Sequence, residues 1–435
     1  MVWALSVPLL FAEIGETLIY ATDTAFLGRV GTTELGAIAL ADTAIEIWVV
    51  PALGLVEAMQ ITIARRAGEG RRSGVGATFT RGFALALAVS ILLAAAVKLG
   101  SPDISRALIS SDAVATAVDD FLQAAAYGLV LMSVNLAYSA LYVGLGKARV
   151  LIWATVVLVL SNLALSYLLV LGNLGAPRLG IEGAGYAFTG AEAATFVYLA
   201  LHTVRRRDLA HYGIFQLRAW GEPLLRPLLR LSSPVALQAL VESARWLGFF
   251  LLLEQVSDDA LAVSSVVYAC FAVLLIPAQA FGETTYSLVS RLIGRGHGDQ
   301  IGRAMRRIVV SAYLVTGPLL LLVLLEPELP LAVFTSNPET SEAASRAVQV
   351  AALAMVLVIP AELWLGALLG TGDADAGLAV ELLLSVVLIG GAAASGLLLD
   401  LRVEYIWLSV PAAAAVAFAL AHARVRSGRW RQKPV

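Results

Sequence analysis

Apolar residues gather along this chain into repeated runs of about 20 or more, the length at which a helix crosses roughly 30 Å of hydrocarbon. Twelve such spans are read, at 3–27, 35–63, 81–100, 119–144, 149–172, 180–204, 227–255, 260–290, 305–326, 346–370, 376–399 and 403–424. Of 435 residues, 59% are hydrophobic and 14% charged, too little charge for a soluble domain of this size. The expectation is an all-α membrane protein of twelve transmembrane helices. The first apolar run continues into "IYATDTAFLG" with no small-residue cleavage pattern, so no cleavable signal peptide is expected.

Charge adds an orientation. Arg65, Arg66, Arg71, Arg72 and Arg81 follow the second span, and Arg205, Arg206, Arg207, Arg218 and Arg226 follow the sixth. Arg291, Arg295, Arg303, Arg306 and Arg307 follow the eighth, and the tail "RVRSGRWRQK" is basic as well. The alternate connections hold Asp103, Asp112, Asp258, Asp259, Glu326 and Glu328. Counting Lys and Arg alone, both termini face the cytoplasm of a multi-pass inner-membrane protein. The connection carrying Asp373 and Asp375 is the exception. The single cysteine, Cys270, lies within a span, so no disulfide framework exists and a packing role is expected for it.

A shift of 226 residues lays one half of the chain on the other. Pro8 meets Pro234, Glu16 meets Glu242, Pro51 meets Pro277 and Glu57 meets Glu283. Arg65 meets Arg291, Gly70 meets Gly296, Arg81 meets Arg307, and Gly144 and Gly146 meet Gly370 and Gly372. "LISSD" at 108 falls on "FTSNP" at 334, each read as the start of a short amphipathic outside segment. Each half holds an even number of spans, so both enter the membrane with the same orientation. The reading is two parallel, pseudo-symmetric six-helix bundles around a central cleft: residues 1–204, a basic linker at 205–226 with Pro223, and residues 227–435 with the basic tail.

Acids inside the spans then become the candidate chemistry. Glu13, Glu16, Tyr20 and Asp23 fall at spacings of three, four and three, which makes one helical stripe. A carboxylate in hydrocarbon costs at least a few kcal/mol, so the stripe is expected to face the protein interior or the cleft. Asp42 and Glu46 share a face of the second span by their spacing of four. Carboxylates packed together in low dielectric cannot all be ionised, so such a group takes up a proton, or a metal cation in its place. In the second half, Glu242 is followed one turn later by Arg245, and an ion pair along that one helix is expected. Glu362 follows Pro360, whose kink frees backbone groups that could line a cavity. Tyr20, Trp246 and Tyr268 are aromatic residues within spans, suited beside carboxylates to holding an organic cation.

The stretch "PLLFAEIGETLIYATDTAFLGRVGTTELGAIALA", with "QITIARRAGEG" after the second span and the glycine turns "LYVGLGKAR" and "LGALLGTGDAD", resembles the multidrug and toxic compound extrusion (MATE) family over essentially the whole chain. The resemblance is to its proton-coupled prokaryotic branch. It implies that Asp23 binds the coupling cation, either a proton or sodium. It also implies that Asn162 of "NLALS" belongs to the same site, with Ser166 standing where relatives place a second acid. Phe188 falls near the place of a family threonine, with Thr189 just after it. Glu16 or Glu13 is then expected to supply the missing charge, and Glu242 resembles a glutamate found in other branches.

The function expected is secondary antiport: export of an organic, cationic or amphipathic compound in exchange for protons or sodium. Asp23, Glu16, Asn162 and Glu13 would serve the coupling ion, and Tyr20, Asp42, Glu46, Glu242, Trp246, Tyr268 and Glu362 the substrate cavity. The alternative is a flippase for lipid-linked oligosaccharides or peptidoglycan precursors, from the same superfamily. An enzyme is not expected: all four histidines lie in or beside loops, and no H-E-x-x-H or G-x-x-x-x-G-K-[ST] motif occurs. No cofactor and no nucleic-acid partner are expected. A monomer in the lipid bilayer is expected.

Overall fold

The computed structural model describes residues 1–216, 225–335 and 338–432. Arg218 and Pro223 of the linker, Ser336 and Asn337 of the second outside segment, and Lys433 of the tail lie outside the described residues. Among the described residues twelve long helices carry the fold: α1 (Val2–Leu27), α2 (Thr32–Gly68), α3 (Arg72–Leu108), α4 (Asp112–Gly144), α5 (Arg149–Leu169) and α6 (Gly180–Arg205). The second half supplies α7 (Leu225–Val256), α8 (Asp258–Gly294), α9 (Ile301–Leu325), α10 (Pro338–Thr371), α11 (Ala374–Ala393) and α12 (Ser409–Arg426). Among the described residues, eleven helices are long and apolar enough to cross a membrane. The twelfth of the layout, α6, is less apolar, being rich in Gly, Ala and Thr and carrying Glu182 and Glu192.

Several helices outrun their apolar spans. α3 begins nine residues before the expected 81, and α4 begins at Asp112 rather than 119. Hydropathy marks only the stretch that sits in hydrocarbon, whereas caps decide where a helix starts. Ser111 caps α4 through the Val114 amide, and Ser257 caps α8 through the Ala260 amide at 3.0 Å. The segment after Leu108 is therefore not a separate amphipathic piece, because its residues are the first turns of α4. The last span is broken: Val403–Ile406 is a short helix, and α12 starts at Ser409.

The chain divides into two compact units, Val7–Ala236 and Met1–Ser6 with Leu237–Val435. In the unit Val7–Ala236, α4 packs against α2, α3 and α6, and α5 packs against α6. One part of its interior is largely aliphatic, with Ile38, Leu122 and Ile181 beside Phe121, and another buries Phe79, Tyr138 and Tyr142. In the other unit α10 packs against α8, α9 and α12, and α11 against α12. There the core holds Phe249, Phe271, Trp364, Trp407 and Met355. Met1–Ser6 belong to that unit because Trp3 packs edge-on against Phe281, with ring centroids 5.9 Å apart, and Ser6 donates to Thr284 at 2.8 Å. Leu92, Leu99, Leu398 and Trp153 are largely exposed, as side chains that meet lipid must be.

The repeat is written into the backbone. Gly70 and Gly296 have φ of 74° and 76°, and Gly146 and Gly372 have 74° and 87°. Each glycine ends a long helix in the left-handed region, where a side chain is strained. Gly144 and Gly370 do the same packing work in each half. A Cβ at Gly144 would lie 2.7 Å from Ile63 and 3.1 Å from the Gln60 carbonyl; at Gly370 it would lie 2.6 Å from the Tyr286 carbonyl and 3.0 Å from Val289. Those contacts are related by the same shift.

The linker is docked rather than loose as far as residue 216. Asp208 is held by Arg206 (2.7 Å) and Lys147 (2.6 Å), which keep its carboxyl well below the usual carboxylate range. The Phe215 amide donates to Thr80 at 2.9 Å, and its ring sits against Phe79 and Phe83. Asp373, the acid that disturbed the charge pattern, is fully buried and paired with Arg424 at 2.8 Å. Its charge is compensated inside the protein, so it says little about which side of the membrane it faces.

Candidate cation-coupling site

Asp23 lies in the last turns of α1 and is 7% exposed. Asn162 and Ser166 are four residues apart on α5, so both point from one helix face. Ser166 Oγ donates to Asp23 Oδ1 at 2.8 Å and Asn162 Nδ2 to Oδ2 at 3.4 Å. Asn162 and Ser166 are both fully buried, and Asn162 Oδ1 has no hydrogen-bond partner. The contact is built on close packing of α1 against α5, where Gly15 faces Thr155 so tightly that a Cβ would fall 2.3 Å from its methyl. Ser166, which in the sequence looked like a missing acid, is here the nearer of the two donors to Asp23.

Further carboxylates extend from this centre within the same unit. Asp42, partly buried on α2, lies within electrostatic reach of both Asp23 and Glu46. Glu46 acts in turn on Glu16, and Glu16 on Glu192. Glu16, Tyr20 and Glu46 are exposed, and Glu13 is half-buried. The stripe of α1 thus has one end locked into α5, at Asp23, and open members before it. Glu192, from which the sequence drew nothing, is buried on α6 and accepts from Asn135 Nδ2 at 2.7 Å. Thr189 donates to the Ala124 carbonyl at 2.9 Å. Among the described residues, no three His, Cys, Asp or Glu are grouped to hold a metal ion.

The second unit carries its own charged group. Arg245 is buried on α7 and pairs with buried Glu381 of α11, while Glu242, half-exposed, stands 3.5 Å from the same guanidinium. The expected pair along one helix exists, but the partner that accompanies Arg245 into the interior comes from another helix. Sequence spacing reports only neighbours on one helix, so Glu381 was not legible. Glu362 lies within electrostatic reach of Glu242, Glu381 and Arg245. Trp246 and Tyr268 are 4.8 Å apart in a cluster with Phe249, Phe250, Phe271 and Trp407, and Trp407 donates to Ser264 at 3.1 Å. Arg245 lies 5.9 Å from the Trp246 ring.

The family model for MatE matches residues 8–168 and again 234–392, two stretches whose starts are separated by the repeat shift. Over 301 residues the chain is 27% identical to the probable multidrug resistance protein NorM of Bradyrhizobium diazoefficiens, covering 69% of this chain and 64% of that protein. Over 382 residues it is 24% identical to that of Thermotoga maritima, covering 85% and 79%. The chain thus spans a little under two thirds of the length of the first relative. Among solved structures, an outward-facing multidrug resistance MATE family transporter of the MOP superfamily superposes with TM-score 0.91 at 18% identity, covering 98% of this chain and 96% of that one. A MOP superfamily transporter from Pyrococcus furiosus gives 0.90 at 18%, covering 99% and 96%. At that identity these likenesses speak for the fold. With the twice-matching family model beside them, the chain belongs to the MatE family, the multidrug and toxic compound extrusion proteins that its motifs resemble.

Proposed function

We propose that this protein is a secondary active antiporter that exports organic cationic or amphipathic compounds in exchange for protons or sodium. The observation that carries the reading is a buried carboxylate, Asp23, held by Asn162 and Ser166 within reach of a further acid on α2. The NorM relatives, named for multidrug resistance, support an extrusion role.

The chemistry follows from competition for negative charge. A cation arriving at Asp23 neutralises a carboxylate in a low-dielectric interior, where Coulomb terms are several times their value in water. The neighbouring acids Asp42, Glu46 and Glu16 then lose part of the field that attracts a cationic cargo. Cargo and coupling ion thus each lower the affinity for the other, the coupling an antiporter needs. One charge moving through roughly 180 mV yields about 4 kcal/mol, enough for about a thousandfold gradient. For a proton, Asp23 Oδ2 is the natural acceptor, since Oδ1 holds the shorter hydrogen bond. For sodium, an oxygen-seeking ion, Asp23 and the Asn162 carbonyl would contribute ligands. The excess of arginine in alternate connections supports a cytoplasmic position for them and for both termini.

Expression in cells lacking their own efflux pumps tests this. Ethidium accumulation should fall with the wild-type protein and stay high with Asp23→Asn at equal membrane abundance. Equal export by the two would remove Asp23 from the mechanism.

A further inference from the structure

A cavity of about 540 Å³ opens in the unit formed by the second half, remote from Asp23 in the chain. Its walls are the start of α9, the end of α12, the Arg429–Gln432 turn, and Pro360 and Trp364 of α10. Two kinds of surface meet in it. Arg306, Arg426 and Arg431 line its rim, all exposed, against one acid, Asp299. Among the described residues none of these three arginines forms an ion pair. The rest of the lining includes an apolar and aromatic set, Met305, Val309, Trp364, Phe418 and Trp430, of which Met305, Trp364 and Trp430 are buried. Trp364 stacks on His422 with ring centroids 4.3 Å apart, and His422 Nδ1 is buried without a hydrogen-bond partner.

The walls are themselves fixed. Trp430 donates to the Val425 carbonyl at 2.9 Å, and Gly298 lies so close that a Cβ there would be 3.0 Å from the Trp430 ring. The pocket sits beside the arginine-rich connection between α8 and α9 and the basic end of α12. Its volume falls in the range of small-molecule sites, about 300–1,000 Å³.

A cationic cargo would meet three positive charges at the mouth. A small inorganic anion would satisfy the arginines and leave the aromatic interior unfilled. A molecule with a phosphate at one end and an acyl chain at the other matches both parts. We propose that this pocket binds one anionic phospholipid of the adjoining leaflet, its phosphate among Arg306, Arg426 and Arg431 and its chain along Trp364 and Phe418. Basic pockets at the cytoplasmic ends of membrane helices recognise headgroups in this way. The assignment stands apart from the transport reading and is tested by binding alone.

The experiment uses the purified full-length protein in a neutral detergent. Dioleoyl phosphatidylglycerol, dioleoyl phosphatidylcholine and inorganic phosphate are titrated separately, and retained lipid is read by native mass spectrometry with unfolding temperature alongside. Phosphatidylglycerol should bind and raise the unfolding temperature, whereas phosphatidylcholine and phosphate should do neither. Arg306→Gln with Arg426→Gln should weaken phosphatidylglycerol binding roughly tenfold or more. Arg303→Gln with Arg307→Gln, on the same helix but off the pocket, should leave it unchanged. Phosphatidylglycerol with brominated chains should quench tryptophan fluorescence, and less so in Trp364→Phe. Equal binding of the two lipids, unchanged binding by the pocket double variant, or protection by phosphate equal to that by phosphatidylglycerol would each overturn the proposal.

Discussion

Asn162 and Ser166 stand four positions apart, and that spacing lets both reach one carboxylate of α1. A hydrogen bond to a charged group contributes about 1.5–3 kcal/mol. Ser166→Ala should therefore reduce coupled transport by on the order of tenfold while the protein folds and inserts as before, because only one small hydroxyl is lost. Transport kinetics at fixed gradient check this; unchanged kinetics would mean that Ser166 merely fills space. Arg245 offers the complementary case. Replacing it by Leu leaves Glu381 buried without its partner, and breaking a buried pair costs about 3–5 kcal/mol. Glu242→Gln, at a half-exposed position, should cost less than about 1 kcal/mol. Thermal unfolding in detergent should separate the two variants clearly, and equal losses would make Glu242 rather than Glu381 the structural partner. Asp23 became a candidate in the chain because it closes a helical stripe of acids inside an apolar run and falls in a family-like motif. Ser166, Asn135 and Glu381 could not, since hydroxyls, amides and isolated acids gain meaning only from what faces them.

At the scale of helices, the 226-residue repeat is the strongest legible feature, and the glycines show why it survives. Gly144 and Gly370 each bring two helices to within backbone contact. Alanine at Gly370 would press on a carbonyl at 2.6 Å, which cannot swing aside as a side chain can. Overpacking of that kind costs about 1–3 kcal/mol. Gly370→Ala and Gly144→Ala should each lower the unfolding temperature, Gly370→Ala the more, since at Gly144 the nearest atom belongs to the Ile63 side chain. Tolerance of both would mean that the repeat is a relic without a packing role. Helix ends were less legible. Capping by Ser111 and Ser257 depends on single residues, whereas hydropathy averages over many. The linker is legible only as a basic segment. Its docking rests on Phe215 in the left-handed region, at φ 62°, and on the Thr80 hydroxyl, neither of which composition announces.

For the whole molecule, fold class and family follow from features that add up along the chain: apolar length, the repeat and the family motifs. The centre of the candidate site was half visible. Asp23 and Asn162 came from motif and cost arguments, while Glu192 and the arginine-rimmed cavity arose only when distant segments were brought together. The measurement that bears most directly on the account is uptake of a fluorescent organic cation into liposomes containing the purified protein, with a proton gradient and a sodium gradient imposed separately. Antiport predicts that at least one gradient drives accumulation well above the no-gradient control. It also predicts that the driving effect disappears in Asp23→Asn while downhill binding of the dye persists. Accumulation that ignores both gradients, or that Asp23→Asn sustains at the wild-type rate, would contradict it.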